Sequence, residues 1–371
     1  MTNRRYFNPT EVCWTGWQHV GDLLPPPPLD ILIVAARSSQ IHAEKISALL
    51  NGDHGVEILS NVAADPTEVT VQDVTSTVKS QNPDWIIAIG GGSALDSAKA
   101  AAVLSNNAGS VADYVSGKIQ LQSPGIPLIA LPTTAGSGSE VTPYASITDT
   151  QNMRKVSLSH DHLYPRYALL DPSLTLTVSP RQTAISGMDA LSHSIEGFWS
   201  NRATAVTDSY ALAAAKLMLS SLLDTYRNPE DITARRLAME GSMLAGMTIS
   251  NARTTAVHAV SYPLTVHFNV PHGLACGILL PPFLRYNAGA MGPEKERQLI
   301  EHLGYSSMSH LADGLVHLQQ QLDLPIRLRE LGLNRNHIDI IVENGFRPDG
   351  MSNNPREITA EQLTSLLETI L

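Results

Sequence analysis

One carboxylate and three imidazoles stand in the chain at positions that suit a metal site. Asp189 and His193 are four residues apart in GMDALSHSIEGF, which places both on one face of a helix. His258 in TTAVHAVSY and His272 in NVPHGLACG follow in small, apolar surroundings, where a buried imidazole needs a partner. We predict a divalent Fe or Zn site from these donor types. Because the chain has 13 histidines, core histidines bonded to backbone carbonyls remain the alternative.

A glycine run follows directly on an apolar strand and predicts a phosphate cradle. Gly90, Gly91 and Gly92 come after WIIAI, and without Cβ atoms they let the backbone approach a pyrophosphate. We expect Ser93 to cap the next helix and Asp96 to lie in its first turn. A tight strand–helix turn without a ligand is the alternative.

A second loop of small hydroxyl residues, PTTAGSGSE, also follows a strand. Two such loops at the carboxyl ends of parallel strands fit a dinucleotide crevice, although an ordinary β–α connection would read the same. From this loop Thr133, Thr134, Gly136, Ser137, Gly138 and Ser139 could all reach phosphates or a nicotinamide. The early strand LIVAARSS ends without the acidic residue that usually binds a ribose. Arg37 there could pair with a 2′-phosphate, which favours NADPH over NADH unless Arg37 is a solvated surface residue.

Composition excludes several classes of function. The 371 residues carry a formal net charge of −10 and no basic block, which argues against a nucleic-acid partner. The two cysteines, Cys13 and Cys276, form no CxxC motif, so we expect a cytoplasmic protein without a disulfide framework. The first residues lack the apolar core of a secretory signal, and no apolar run approaches the ~18 residues of a membrane span.

The order of strand and helix patterns predicts two domains. Up to about residue 180 apolar strands alternate with amphipathic helices, which is typical of a parallel α/β sheet. Beyond it one helical pattern follows another. We predict an α/β dinucleotide-binding domain over residues 1–179 and an all-helical metal-binding domain over residues 180–371.

Taken together, several motifs resemble the iron-dependent (group III) alcohol dehydrogenases. They are FNPTEVCWTG, GGGSALDSAKA, LPTTAGSGSEVT, LLDPSLT, SGMDALSHSIEGF and the stretch from His258 to PHG, and they cover residues 7 to 285 in order. The resemblance implies the dehydroquinate synthase-like fold of that family, with an α/β and a helical domain. It further implies Fe(II) or Zn(II) on Asp189, His193, His258 and His272, and NADPH or NADH on Gly90 to Ser93, Asp96, Thr133, Thr134 and Ser137.

The chain departs from the common family pattern in two places. Many members have a second histidine, often given a proton-relay role, where this chain has Tyr262. Many have small residues where this chain has Arg253, Thr254 and Thr255. The segment from Arg253 to PHG resembles the phosphonoacetaldehyde reductase branch of phosphonate biosynthesis. A guanidinium and two hydroxyls would hold a phosphonate dianion by charge-assisted bonds, although Arg253 could equally form a structural salt bridge.

These observations predict a metal-dependent reductase of a small aldehyde, with phosphonoacetaldehyde reduced to 2-hydroxyethylphosphonate. Tyr262, a ribose hydroxyl or water would supply the proton. A general short-chain alcohol dehydrogenase, a redox-neutral dehydroquinate-synthase-like cyclase and a non-enzymatic metal- or nucleotide-binding protein are the alternatives. The subunit number is left open, a homodimer being one option.

Overall fold

The computed structural model describes residues 6–346 and 348–371. The strands are β1 (Glu11–Trp14), β2 (Asp30–Ala36), β3 (Gly55–Val62), β4 (Trp85–Gly90), β5 (Leu128–Pro132), β6 (Tyr144–Asp149), β7 (Arg154–Ser159) and β8 (Tyr167–Leu170). The helices are α1 (Gln40–Leu50), α2 (Glu68–Gln81), α3 (Gly92–Leu104), α4 (Val111–Val115), α5 (Pro180–Trp199), α6 (Ala205–Arg227), α7 (Ile232–Ala252), α8 (Ala256–Phe268), α9 (His272–Asn287), α10 (Pro293–Leu303), α11 (Met308–Gln321), α12 (Arg335–Gly345), α13 (Pro348–Met351) and α14 (Ala360–Glu368).

The chain divides into an α/β unit and a helical unit. The α/β unit comprises Asn8–Thr134 and Gly138–Thr177. The helical unit comprises Val178–Leu371, the short segment Ala135–Ser137 and the described residues up to Phe7. The predicted fold class is confirmed. The division falls after Thr177, close to the boundary proposed from the sequence, but the helical unit also takes three residues from the middle of the α/β part.

A six-stranded sheet forms the centre of the α/β unit, in the order β1-β8-β5-β4-β2-β3, with every neighbouring pair parallel. Alternate residues of its strands are buried on opposite faces. Ile87 and Ile89 of β4 pack in the core that contains α1, whereas Ile86 and Ala88 pack in the core that contains α2 and α3. Since helices cover both faces, the central strands are apolar throughout, as in α/β proteins generally.

An antiparallel hairpin interrupts this parallel pattern. Strands β6 and β7 pair along their whole length, with Tyr144 opposite Ser159 and Asp149 opposite Arg154. The sequence analysis assigned no strands here. The reason is physical, since the only fully buried side chain of β7 is the charged Lys155 and the others are partly buried or exposed, which leaves a weak apolar signal.

One large core holds the helical unit together. Helix α5 begins at Pro180 after the N-cap Ser179, whose hydroxyl accepts from the Gln182 N–H. From Thr183 to Trp199 every residue of α5 is buried, so this helix is the centre of the unit. Helices α6, α7 and α9 pack around it. Among the described residues, no helix is both long enough and apolar enough to cross a bilayer.

Candidate metal centre and cofactor loops

The buried face of α5 carries the first two predicted metal ligands. Asp189 and His193 are 7% and 5% exposed, which is unusual for a carboxylate and an imidazole and requires a compensating partner. His258 lies in the first turn of α8, and His272 is the first residue of α9. Both helices belong to the same unit as α5, so the two distant histidines reach the α5 pair.

All three imidazoles surround a single oxygen atom. The Nε2 atoms of His258, His272 and His193 lie 3.5, 3.7 and 3.9 Å from Asp189 Oδ1. Burial by itself would raise the pKa of Asp189, but the neighbouring imidazoles of His193 and His272 outweigh it and hold the pKa well below its usual range. The predicted quartet is therefore brought together in one place with its carboxylate ionised.

The donor atoms fit a divalent ion. Neither Asp189 Oδ1 nor His258 Nε2 makes a hydrogen bond to any residue that the structure describes, although both are buried. Buried polar atoms without a partner are costly, and a bound cation would satisfy both of these. Tetrahedral bonds of about 2.1 Å separate the ligand atoms by about 3.4 Å, close to the spacing found here. Asp189, His193, His258 and His272 could therefore hold Fe(II) or Zn(II), with His193 Nε2 the most distant of the three nitrogens from Asp189 Oδ1.

Glu196, which the sequence analysis missed, lies directly behind the site. This fully buried carboxylate contacts His258 Nδ1 and accepts from the Thr255 N–H at 2.8 Å and the Thr255 hydroxyl at 2.6 Å. A carboxylate can only accept, so Nδ1 carries the hydrogen and Nε2 keeps its lone pair for a metal. The signal was its position seven residues after Asp189, on the same helical face.

Two further side chains border the quartet. Cys276 is buried, its Sγ lies 3.8 Å from His272 Nε2, and it forms a possible metal-binding group with Asp189, His258 and His272, whose ligand atoms are within 4.8 Å of one another. The sequence analysis gave Cys276 no site role. The ring of Tyr262 stacks on the His272 imidazole with centroids 5.6 Å apart. This places Tyr262 beside the site, while its part in proton transfer stays a prediction.

The two predicted cofactor loops meet at one edge of the α/β sheet. Gly90 ends β4 with φ +154°, a conformation that favours glycine, and its carbonyl accepts from the Thr133 N–H at 2.9 Å. A methyl group on Gly91 would lie 3.3 Å from the Thr134 hydroxyl. Arg37 follows the neighbouring strand β2 and is exposed. These residues thus share the carboxyl edge of the sheet, where dinucleotides bind in such folds.

The roles expected of Ser93 and Asp96 need correction. Helix α3 begins at Gly92 after the N-cap Gly91, so Ser93 is already helical and its hydroxyl instead accepts from the Asp65 N–H. Asp96 lies beyond the first turn. Its carboxylate accepts from the Ser139 hydroxyl at 2.5 Å and the Ser146 N–H at 2.9 Å. Asp96 therefore links α3 to the second loop by hydrogen bonds.

A buried lysine beside the first loop was also missed. The Lys155 ammonium lies 2.6 Å from Asp65 Oδ1, and the Asp65 backbone is bonded to Ser93. Lys155 is 6% exposed, an unusual degree of burial for a lysine. The sequence analysis could not find it because it did not predict β7, on which Lys155 lies.

Ser137 groups with a different unit from the other cofactor residues that the family resemblance implies. It belongs to the segment Ala135–Ser137, which groups with the helical unit. A methyl group on the neighbouring Gly136 would lie 2.7 Å from Ser186 Cβ, so only glycine permits this close approach to α5. A cofactor contact from Ser137 stays a prediction.

The predicted substrate segment follows α7 in an unusual conformation. Arg253 is half-buried and has φ +61° and ψ +169°, a region that is essentially restricted to glycine. The Thr255 hydroxyl accepts from Trp199 Nε1 and donates to Glu196, and Thr255 is fully buried. Thr255 therefore supports the segment and we no longer assign it to substrate binding, whereas Arg253 and Thr254 stay candidates.

The fold and the site first define a class: a parallel α/β unit with a glycine loop, joined in one chain to a helical unit that gathers a carboxylate and three imidazoles. The chain belongs to the iron-containing alcohol dehydrogenase family. Residues 183–371 match the Fe-containing alcohol dehydrogenase family, C-terminal model, and residues 15–172 match the iron-containing alcohol dehydrogenase model. Membership confirms the predicted enzyme class, an alcohol dehydrogenase, over a redox-neutral cyclase.

Relatives within the family include reductases of small aldehydes. Sulfoacetaldehyde reductase of Bilophila wadsworthia is 33% identical over 332 residues, covering 86% of this chain and 85% of the relative. Lactaldehyde reductase of Escherichia coli K12 is 32% identical, covering 84% and 83%. The crystal structure of a sulfoacetaldehyde reductase from Bifidobacterium kashiwanohense in complex with NAD+ superposes with a TM-score of 0.92 at 30% identity, covering 100% of this chain and 99% of that chain.

Proposed function

We propose that the chain reduces a small aldehyde that carries a tetrahedral anionic head group, phosphonoacetaldehyde being the first candidate. The nicotinamide of NADH or NADPH would give hydride to the carbonyl carbon, and a proton would complete the alcohol, 2-hydroxyethylphosphonate. The observation that carries the proposal is Arg253, an arginine in a backbone conformation that costs on the order of 1–3 kcal/mol for any residue but glycine. Residues strained in this way cluster at active sites and ligand clamps.

The position of Arg253 supports a head-group role. Glu196 binds both His258 and Thr255, so the backbone two residues after Arg253 is fastened to a metal ligand. Two residues span at most about 7 Å. A guanidinium is a bidentate partner for phosphonate or sulfonate oxygens, and the sulfoacetaldehyde reductases among the relatives are named for an aldehyde with such a head group.

The remaining residues of the helical unit would prepare the carbonyl. A divalent ion would act, when bound, as a Lewis acid that polarises the carbonyl, and the residues that would hold it are Asp189, His193, His258 and His272. Glu196 fixes the His258 tautomer for that ion. Tyr262, on the face of the His272 ring, is the candidate proton donor, with water or a ribose hydroxyl as the alternative.

The first test compares phosphonoacetaldehyde, sulfoacetaldehyde and propanal as substrates of wild type, Arg253→Ala and Arg253→Gly. Hydrogen bonds to charged groups contribute about 1.5–3 kcal/mol, so both variants should lose about tenfold to a hundredfold in kcat/KM for the anionic aldehydes. Rates on propanal should change little. Only the glycine variant also relieves the backbone strain, and its Tm should exceed that of the alanine variant.

Two results would contradict the proposal. If wild type prefers propanal, or lactaldehyde as the Escherichia coli relative's name suggests, a general short-chain reductase is the better assignment. If both Arg253 variants keep the wild-type ratio of rates on anionic and uncharged aldehydes, Arg253 is structural.

The same assay run with NADPH and NADH tests Arg37. A 2′-phosphate bonded to the Arg37 guanidinium predicts a preference for NADPH that Arg37→Ala removes.

A further inference from the structure

The conformation of Arg253 is held by a residue distant in sequence, Asn353. Its side chain is 2% exposed, and its Nδ2 donates to the Ala252 carbonyl at 3.0 Å and to the Thr254 carbonyl at 2.9 Å. One amide group therefore binds the carbonyls on both sides of Arg253. The two carbonyls can only accept, which fixes the amide in this orientation and places its Oδ1 3.0 Å from the Ser200 hydroxyl.

The neighbouring contacts complete this clamp. The Ser200 Oγ lies 2.6 Å from the Ala252 carbonyl, and the Arg253 N–H donates to Ile249 at 2.9 Å. Downstream, Glu196 accepts from the Thr255 N–H. An L-residue occupies the glycine-only region only where its surroundings over-determine it, and here the Ala252–Arg253 peptide and the Thr254–Thr255 peptide are both hydrogen-bonded within the core.

We propose that Asn353 is a positioning residue for substrate selection: it holds Arg253 in the strained conformation that presents its guanidinium to the anionic head group. This inference rests on the proposed function of Arg253. An asparagine amide suits the task because its two N–H groups can donate to two carbonyls at once while its oxygen accepts a third bond. A structural role limited to satisfying the last carbonyls of α7 is the competing explanation.

The experiment measures kcat and KM separately for phosphonoacetaldehyde and propanal in Asn353→Ala. The matched control is Asn354→Ala, because Asn354 is an equally buried neighbour whose amide binds Asn287 and Arg356 instead. Both variants lose buried hydrogen bonds and should lose similar thermal stability. Only Asn353→Ala should raise KM for phosphonoacetaldehyde, by about tenfold, with KM for propanal within about twofold.

A double-mutant cycle with Arg253→Gly separates the two proposals. Glycine adopts this conformation without strain, so Asn353→Ala in the Arg253→Gly background should leave the ratio of rates unchanged and should lower Tm less than it does in wild type. If Arg253→Gly alone leaves substrate preference unchanged, the proposed function fails. If Arg253→Gly changes the preference but Asn353→Ala does not, the positioning role of Asn353 is wrong.

The more conservative Asn353→Ser serves if the alanine variant does not fold. Serine retains one donor on a shorter side chain, so it can bind at most one of the two carbonyls. We expect a KM for phosphonoacetaldehyde between those of wild type and Arg253→Ala. A wild-type KM in a folded Asn353→Ser protein with a lowered Tm would reduce Asn353 to a purely structural role.

Discussion

At the scale of single residues, the candidate metal site depends on Asp189 Oδ1 and on Glu196, the carboxylate behind His258. Asp189 Oδ1 faces three imidazole nitrogens within 3.9 Å. Burial favours the protonated form of Glu196, but its contact with His258 and its bonds from Thr255 outweigh this and lower its pKa. The site therefore contains two ionised carboxylates: Asp189, the candidate ligand of an ion, and Glu196, which contacts His258.

Replacing Glu196 by glutamine should weaken metal binding. Glutamine has nearly the same shape, but its charge is lost and its NH₂ group competes for the place opposite the His258 Nδ1–H. Mutation of a carboxylate that orients a metal-binding histidine typically lowers metal affinity by about 10- to 100-fold. Competition between the purified protein and a chromophoric chelator for Zn2+ or Co2+ measures this directly, without any assay of activity.

The control for this experiment is Glu230→Gln on the exposed surface of the same unit. It removes the same charge from the chain and should leave metal affinity unchanged. Equal affinities of wild type and Glu196→Gln would mean that packing alone orients His258.

Which of these residues the sequence could predict follows from their chemistry. Asp189, His193, His258 and His272 stand out because carboxylates and imidazoles are rare in apolar segments. Glu196 shares the helical face of Asp189 but was missed because its partners, His258 and Thr255, are about sixty residues away in sequence, and Asn353 carries no such signal because it binds backbone carbonyls about a hundred residues away. Arg253 was chosen for its charge, while its positive φ follows from tertiary contacts that only the structure reveals.

At the scale of elements, helix α3 joins the two cofactor loops. Its residue Lys99 is buried and donates to the carbonyls of Ser139 and Thr142 at 2.9 and 3.2 Å, and Asp96 accepts from Ser139 and Ser146. The loop after β5 is thus bonded to the helix that follows the loop after β4.

Replacing Asp96 by asparagine should loosen this connection. The amide retains one acceptor oxygen of two and places an NH₂ group beside a hydroxyl or N–H donor. It also removes the charge that lies 3.4 Å from the Lys99 ammonium. We expect a loss of stability of about 1–3 kcal/mol and a raised KM for the nicotinamide cofactor, measured by thermal unfolding and initial rates.

An exposed aspartate on a neighbouring helix gives the comparison. Asp73→Asn on α2 changes the same charge at an exposed position and should alter neither quantity. A wild-type cofactor KM in Asp96→Asn would show that the loops keep their positions without this carboxylate.

The helices and central strands were predictable because their apolar periodicity is strong. The hairpin β6–β7 was not, since most side chains of its outer strand are only partly buried or exposed. The cap of α3 was misplaced by two residues because glycine, with no side chain to recognise, took the N-cap position that Ser93 was expected to fill.

At the scale of the whole molecule, one buried carboxyl should shape the dependence of stability on pH. Burial raises the pKa of Glu140 from its ordinary 4.5 to about 7. Because the folded pKa is raised, the contribution of this group to stability is complete below about pH 4.5 and is lost as pH rises through about 7. The shift corresponds to about 3 kcal/mol.

Glutamine at position 140 cannot ionise. Between about pH 4.5 and pH 7 the Tm of wild type should therefore fall relative to that of Glu140→Gln, and above this range the two curves of Tm against pH should run parallel. The exposed Glu44→Gln on α1 should follow wild type throughout. Parallel curves for wild type and Glu140→Gln would contradict a raised pKa.

The two-part organisation was predictable from the change of pattern near residue 180. The grouping of Ala135–Ser137 with the helical unit was not. Those residues stand in a loop between strands, and their assignment to the helical unit depends on contacts such as that of Gly136 with Ser186.

The segment Ala135–Ser137 determines where this protein can be recombined with other members of its family. A chimera with a single crossover at residue 177 would place the donor's residue 136 against Ser186 of the helical part. Any side chain larger than hydrogen would collide there. For a donor without glycine at position 136, grafting a new nucleotide specificity therefore requires four junctions: before Asn8, on either side of Ala135–Ser137, and after Thr177.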